Sequence, residues 1–129
     1  MILDASIIVA LVFRETSTKW IAETLSAHPR ERLHMSWVSL AEASMTIAKE
    51  NRVAPAAVEA ALADLGVEML DADHEVVRTA TEARLRFPIN FGDCFAYAHA
   101  LLRGEPLLTL DADFLKTDLP EILHPKRRA

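Results

Sequence analysis

Hydrophobic positions along the chain alternate between short apolar runs and longer stretches with helical spacing. Ile2-Leu3 is a two-residue apolar run, and a helix-like stretch follows from Ser6 to Phe13. A second helix reads from Ser17 to His28, with Trp20, Ile21 and Leu25 on one side. Leu33-His34-Met35-Ser36 suits a short strand, and Val38 to Asn51 is a helix rich in alanine. Pro55 fits a first helical turn, where a missing N–H costs nothing. The helix it opens runs to Leu65 and ends at Gly66. Val67 to Leu70 is a further strand, and Glu75 to Phe87 a helix broken by Pro88. Phe91 to Arg103 makes another helix, closed by Gly104, before a strand at Leu107–Leu110 and a short helix near Phe114. Strands alternating with helices predict an α/β domain: a short, mostly parallel sheet of about four to five strands with helices on both faces.

Length and composition narrow this picture. A chain of 129 residues, 51% hydrophobic with 3 Gly and 6 Pro, has material for one packed domain over residues 1–129. Its basic tail, about residues 125–129, reads as frayed. Cys94 is the single cysteine, which excludes an internal disulfide and any multi-cysteine zinc site. No apolar run approaches the roughly 18 residues of a membrane span. Met1-Ile2-Leu3-Asp4 carries a carboxylate where a signal peptide is apolar, so the expected compartment is the cytoplasm. The charge sum, 14 − 19 = −5, weighs against a protein that coats nucleic acid through broad basic attraction. It leaves room for an enzyme that gathers acids round a cation.

The acids fall in places that matter. Asp4 follows the first strand and Asp111 the last, so both belong at the carboxyl edge of a parallel sheet, where open α/β sheets place their sites. Taken singly, each also suits a helix N-cap. Glu42 lies within a helical stripe of Val38, Ala41, Met45 and Ala48, which aims a carboxylate at the core unless it is paired with Lys49 or another cation. Asp93 sits in a first helical turn three residues after Asn90, a cap-and-dipole arrangement, ahead of turns that are apolar nearly all round. Two carboxylates about 4 Å apart repel by roughly 4 kcal/mol at an effective dielectric of about 20. Convergence of these acids therefore calls for a divalent cation, and an all-oxygen ligand set selects Mg²⁺ or Mn²⁺ over zinc.

Other chemistries lack their residues. There is no glycine-rich dinucleotide or phosphate loop, no nucleophile-elbow serine, and no second aspartate beside Asp4. The histidines, His28, His34, His74, His99 and His124, show no ligand spacing and read as surface or locally hydrogen-bonded groups. Cys94 reads as a small core residue.

Four segments together resemble the PIN-domain family, in its VapC-type toxin branch: Met1-Ile2-Leu3-Asp4-Ala5-Ser6, Ser39-Leu40-Ala41-Glu42, Phe91-Gly92-Asp93-Cys94-Phe95-Ala96-Tyr97-Ala98, and Leu107-Leu108-Thr109-Leu110-Asp111-Ala112-Asp113-Phe114. The resemblance runs through order, spacing and length over essentially the whole chain. It implies a PIN-like fold and a Mg²⁺-dependent (or Mn²⁺-dependent) endoribonuclease that leaves a 3′-hydroxyl and a 5′-phosphate. Asp4, Glu42 and Asp93 carry over as catalytic metal ligands. The fourth acid is Asp111 or Asp113, with Asp111 favoured, and Ser6 and Thr109 match supporting polar positions. The implied partners are a cognate antitoxin protein, an RNA substrate and a second copy in a homodimer, with no membrane. Trp20 and Trp37 are candidates for an interface, and Ile7, Leu11, Trp20 and Ile21 for an antitoxin groove. Arg14, Lys49, Arg52, Arg84, Arg86 and Lys116 are candidates for a basic rim. Two other readings stand beside this one: a catalytically silent PIN-like binding module, and a different Mg²⁺-dependent phosphohydrolase.

Overall fold

Five short strands form one sheet: β1 (Ile2–Leu3), β2 (His34–Ser36), β3 (Glu68–Leu70), β4 (Leu107–Leu108) and β5 (Ile122–Leu123). Their order is β3-β2-β1-β4-β5, and every neighbouring pair is parallel. The helices are α1 (Ala5–Phe13), α2 (Thr18–Ala27), α3 (Trp37–Asn51), α4 (Pro55–Leu65), α5 (His74–Arg86) and α6 (Phe91–Arg103). A 3-10 turn spans Ala112–Lys116. The computed structural model describes residues 1–51 and 55–127.

Side chains on a strand alternate between faces, and this splits the apolar residues into two cores. Leu3, Met35 and Leu108 pack with Ile7, Ile8, Ile21, Leu40, Ile47 and Leu62 beneath α1–α4. Ile2, Leu107 and Ile122 face the other way, onto Ala80, Ala83, Ala96, Tyr97 and Phe114 beneath α5 and α6. The register agrees: Ile2 lies beside Leu107 and Leu107 beside Ile122. From β1 the chain builds outward to β2 and β3, and returns on the opposite side as β4 and β5. Strand order thus reverses between β1 and β4, which opens a crevice at their carboxyl ends.

The α/β architecture expected from the alternating pattern is present, with helices on both faces. Several details differ. The strand expected at Leu107–Leu110 stops at Leu108: the Thr109 N–H still donates to the Leu123 carbonyl of β5, but the N–H groups of Leu110 and Asp111 turn to the hydroxyls of Ser6 and Thr109. β5 carries only two apolar residues after Pro120 and Glu121, too little pattern to announce a strand. α5 begins at His74, one residue before the expected Glu75, because the Asp73 carboxylate accepts from the Val76 N–H.

The core-facing stripe of α3 is corrected. Leu40, Ala43 and Ile47 are buried, while Ala41 and Met45 face solvent, so Glu42 flanks an outward stripe and does not point into the core. Both stripes have helical spacing, and only the position of the sheet decides between them. Ile7 and Ile21 are fully buried, so they line no open groove; Leu11 and Trp20 are half-buried against the same core. Trp37 is exposed along one side, with its ring N–H donating to Asp71 Oδ1 at 2.7 Å. His34, His99 and His124 are buried, contrary to a surface reading. His34 and His124 are hydrogen-bonded, whereas His99 Nε2 has no partner. The tail is folded as far as Arg127, whose N–H donates to the His124 carbonyl; the frayed end expected beyond it, and Arg52 of the basic rim, lie outside the described residues.

Candidate active site

Asp4 is the first residue after β1 and occupies the N-cap position of α1 in extended backbone, yet its carboxylate makes no capping bond. It turns into the crevice, where it is 2% exposed. Ser6 Oγ donates to Asp4 Oδ1 at 2.5 Å, and Thr109 Oγ1 donates to Oδ2 at 2.6 Å. Each hydroxyl in turn accepts a backbone N–H from the loop after β4: Leu110 onto Ser6 at 2.9 Å, and Asp111 onto Thr109 at 2.9 Å. A hydroxyl has one proton, so accepting from the backbone commits that proton to Asp4. His124 pins the same loop. Its Nδ1 accepts from the Lys126 N–H, which leaves Nε2 as the donor to the Leu110 carbonyl.

Asp93 enters from the first turn of α6. Asn90 caps that helix by accepting the Asp93 N–H at 3.1 Å, which fixes where the side chain starts. The residue is 5% exposed, and its Oδ2 has no hydrogen-bond partner. Glu42 reaches in from α3 and is half-buried. Asp111 does what Asp4 does not: its Oδ1 caps the 3-10 turn by accepting the Asp113 N–H at 2.9 Å.

These carboxylates act on one another. Burial pushes Asp4 up to about 6, against the lowering hydrogen bonds of Ser6 and Thr109 and with the charges of Asp111 and Glu42 adding to the rise. Burial also raises Asp93 well above the carboxylate range, reinforced by Asp4, Asp111 and Glu42. Glu42 is raised by burial and by Asp111. Asp4, Glu42, Asp93 and Asp111 therefore share one electrostatic site. Asp113 is turned elsewhere, accepting from Lys116 Nζ at 3.4 Å at the surface.

A hard divalent cation fits this donor set: every donor is an oxygen, the net charge is negative, and Asp93 Oδ2 is a buried acceptor without a donor. Among the described residues, no three acidic, thiol or imidazole groups are already gathered round one point.

The PIN domain family model matches residues 1–119. The chain belongs to the PIN-domain family. Ribonuclease VapC42 of Mycobacterium tuberculosis is 31% identical to this PIN domain over 128 residues, covering 92% of this chain and 96% of the relative. Ribonuclease VapC36 of the same organism is 33% identical over 129 residues, covering 92% and 91%. In fold, this PIN domain matches the M. tuberculosis sarcin-ricin loop cleaving toxin VapC20 with a TM-score of 0.75 at 20% identity, over 93% of this chain and 96% of that one. VapBC-1 of nontypeable Haemophilus influenzae matches with a TM-score of 0.70 at 25% identity, over 95% and 96%.

Two features of the site had no signal in local pattern. His124 follows the two-residue strand β5 and meets the site loop only through the fold. Gly92 is one position from Asp93, and its importance lies in what packs against it from α3.

Proposed function

We propose that this PIN domain is a Mg²⁺-dependent endoribonuclease, with Mn²⁺ able to substitute, and the toxin of a toxin–antitoxin pair. The observation that carries this reading is the buried pair Asp4 and Asp93, pushed toward neutrality by burial and by neighbouring acids, at the point where strand order reverses. The ribonuclease relatives supply the reaction class.

Asp4, Asp93, Glu42 and Asp111 would hold the cation. The cation supplies charge neutralisation, polarisation of the scissile phosphoryl group and a lowered pKa for the attacking water. Ser6 and Thr109 keep both oxygens of Asp4 oriented while it is ionised. Asp93, raised by burial and by neighbouring acids, would hold the cation only when its carboxyl is ionised, so metal affinity would rise with pH. The attacking water needs a proton acceptor. Glu42 is the raised carboxylate that also meets solvent, and it takes that role.

The net charge of −5 leaves phosphate contacts to a few rim cations. Lys116 and Arg86 are paired with Asp113 and Asp118, and Arg84 donates to the Ile89 carbonyl. Arg14 and Lys49 are exposed, with no side-chain partner among the described residues. No helix among the described residues is long and apolar enough to cross a membrane; we place the protein in the cytoplasm, where its RNA substrate is. For the homodimer, the exposed apolar candidates are Met45, Leu85 and Phe91, on α3, α5 and α6, together with Trp37, whereas Trp20 is half-buried against the core. For the antitoxin, an arginine that forks onto the acids would compete with the cation.

The test is a Mg²⁺ titration of the purified chain against structured RNA, single-stranded DNA and a phosphomonoester. RNA cleavage that leaves 3′-hydroxyl and 5′-phosphate ends, and that a chelator abolishes, is expected. Binding of RNA without cleavage indicates a silent module, and hydrolysis of the phosphomonoester alone indicates a different phosphohydrolase.

A further inference from the structure

Gly92 is the second residue of α6, a place where glycine is a poor helix former beside alanine. Its backbone does not require glycine: the glycines in the left-handed region are Gly66 and Gly104, which end α4 and α6. Space is what requires it. A β-carbon built on Gly92 would overlap Glu42 Oε2 outright and lie 2.9 Å from Glu42 Cδ and 3.7 Å from Glu42 Oε1; these are the three nearest heavy atoms. The Glu42 carboxylate thus occupies the volume that any other residue at 92 would fill. It rests on the N-terminal turn of α6, whose backbone favours an anion.

The geometry assigns Gly92 as the positioning residue for Glu42: the absent side chain is the seat that holds the Glu42 carboxylate beside Asp93. The obstructing atoms are the far end of a flexible side chain, so Gly92→Ala turns Glu42 out of the seat and leaves the fold intact. With Glu42 cut back to alanine, nothing nearer than 3.7 Å remains to oppose the new methyl. The same substitution then acts only as a helix improvement. Its effect depends on the side chain at position 42, and that dependence separates positioning from a general packing role.

The metal arm of the test rests on the cation-binding reading above; the melting arm does not. Four proteins are compared: wild type, Gly92→Ala, Glu42→Ala and the double variant. Calorimetric titration with Mn²⁺ is expected to show affinity falling about 10-fold when Gly92→Ala is made in the wild type, and not at all when it is added to Glu42→Ala. Metal-free melting is expected to rise by about 4 °C when Gly92→Ala is added to Glu42→Ala, and to rise less or fall when Glu42 is present. Equal melting shifts in the two backgrounds, or equal Mn²⁺ affinity of wild type and Gly92→Ala, would overturn the assignment. Should wild type bind no Mn²⁺, the cation reading fails, while the melting comparison still decides whether Glu42 sits in the Gly92 seat.

Discussion

The two edges of the sheet each bury carboxylate chemistry and treat it in opposite ways. At the amino edge, burial alone would raise Glu105, but hydrogen bonds from the Met1 ammonium at 2.6 Å, from Arg103 Nε and from His34 Nδ1 at 2.7 Å overcome it and hold Glu105 down at about 2. At the carboxyl edge, Asp4 is driven up to about 6 and Asp93 higher still, because burial there is reinforced by other acids. All three are carboxylates that burial pushes up, Glu105 half-buried and Asp4 and Asp93 buried, and the sign of the neighbours decides the outcome. A buried acid ringed by donors and cations is a finished structural joint. A buried acid ringed by acids, with Asp93 Oδ2 unpartnered, is a joint that the proposed cation would complete.

Removing one acid from each edge should break the symmetry most sharply. Asp93→Asn keeps the shape and deletes the charge that would hold the cation. RNA cleavage should fall by more than about 100-fold, since even groups that merely orient ligands are worth up to that much. Growth arrest on expression should be relieved, while metal-free melting should rise, because a raised buried acid has been removed. Undiminished cleavage by a folded Asp93→Asn protein contradicts the metal-nuclease reading. Glu105→Gln should do the reverse: activity per folded molecule stays near wild type, and stability drops by about 2 kcal/mol in denaturant titration, because the buried ammonium loses the nearer of its two carboxylates and keeps only Glu31 at 3.4 Å.

The pH profile of the metal-free protein should show both edges at once. Asp4 has a folded pKa above its usual 3.8, so its contribution to stability is full below about pH 3.8 and is lost as pH rises through about 6. Asp93 acts in the same direction and extends the loss upward. Glu105 has a folded pKa below its usual 4.5, so its contribution is present above about pH 4.5 and is lost as pH falls toward 2. Calorimetric melting should therefore peak in the mildly acidic range. Saturating Mn²⁺ should flatten the upper limb, and Glu105→Gln should flatten the acid limb. A profile that climbs steadily to pH 8 without metal would mean that the carboxyl-edge acids are not raised.

Thr109→Val gives the smallest expected change. It deletes one donor to Asp4 and strands the Asp111 N–H, which costs about 1 kcal/mol. Asp4 should rise further, and the upper limb of the pH profile, which still begins near pH 3.8, should extend to higher pH.

The elements were legible from local rules. Apolar spacing, Pro55, Gly66 and Gly104 act over a few residues, so helices and strands appeared nearly in place, and with them Asp4, Asp93 and Asp111 at element ends. Contacts between distant residues were not legible. Thr109 donates to Asp4 across 105 positions, and His34 meets Glu105 across 71; no periodicity links such pairs. The two stripes on α3 were equally apolar until the sheet chose Leu40, Ala43 and Ile47 for burial and left Glu42 on the flank. Asp111 was favoured over Asp113 by resemblance alone; in the fold Asp111 caps the 3-10 turn beside the crevice, and Asp113 meets Lys116. The sequence by itself determined which acids this protein has and which element carries each, because backbone preference is local. Only the tertiary structure decided which of them became neighbours, because burial and charge act through space.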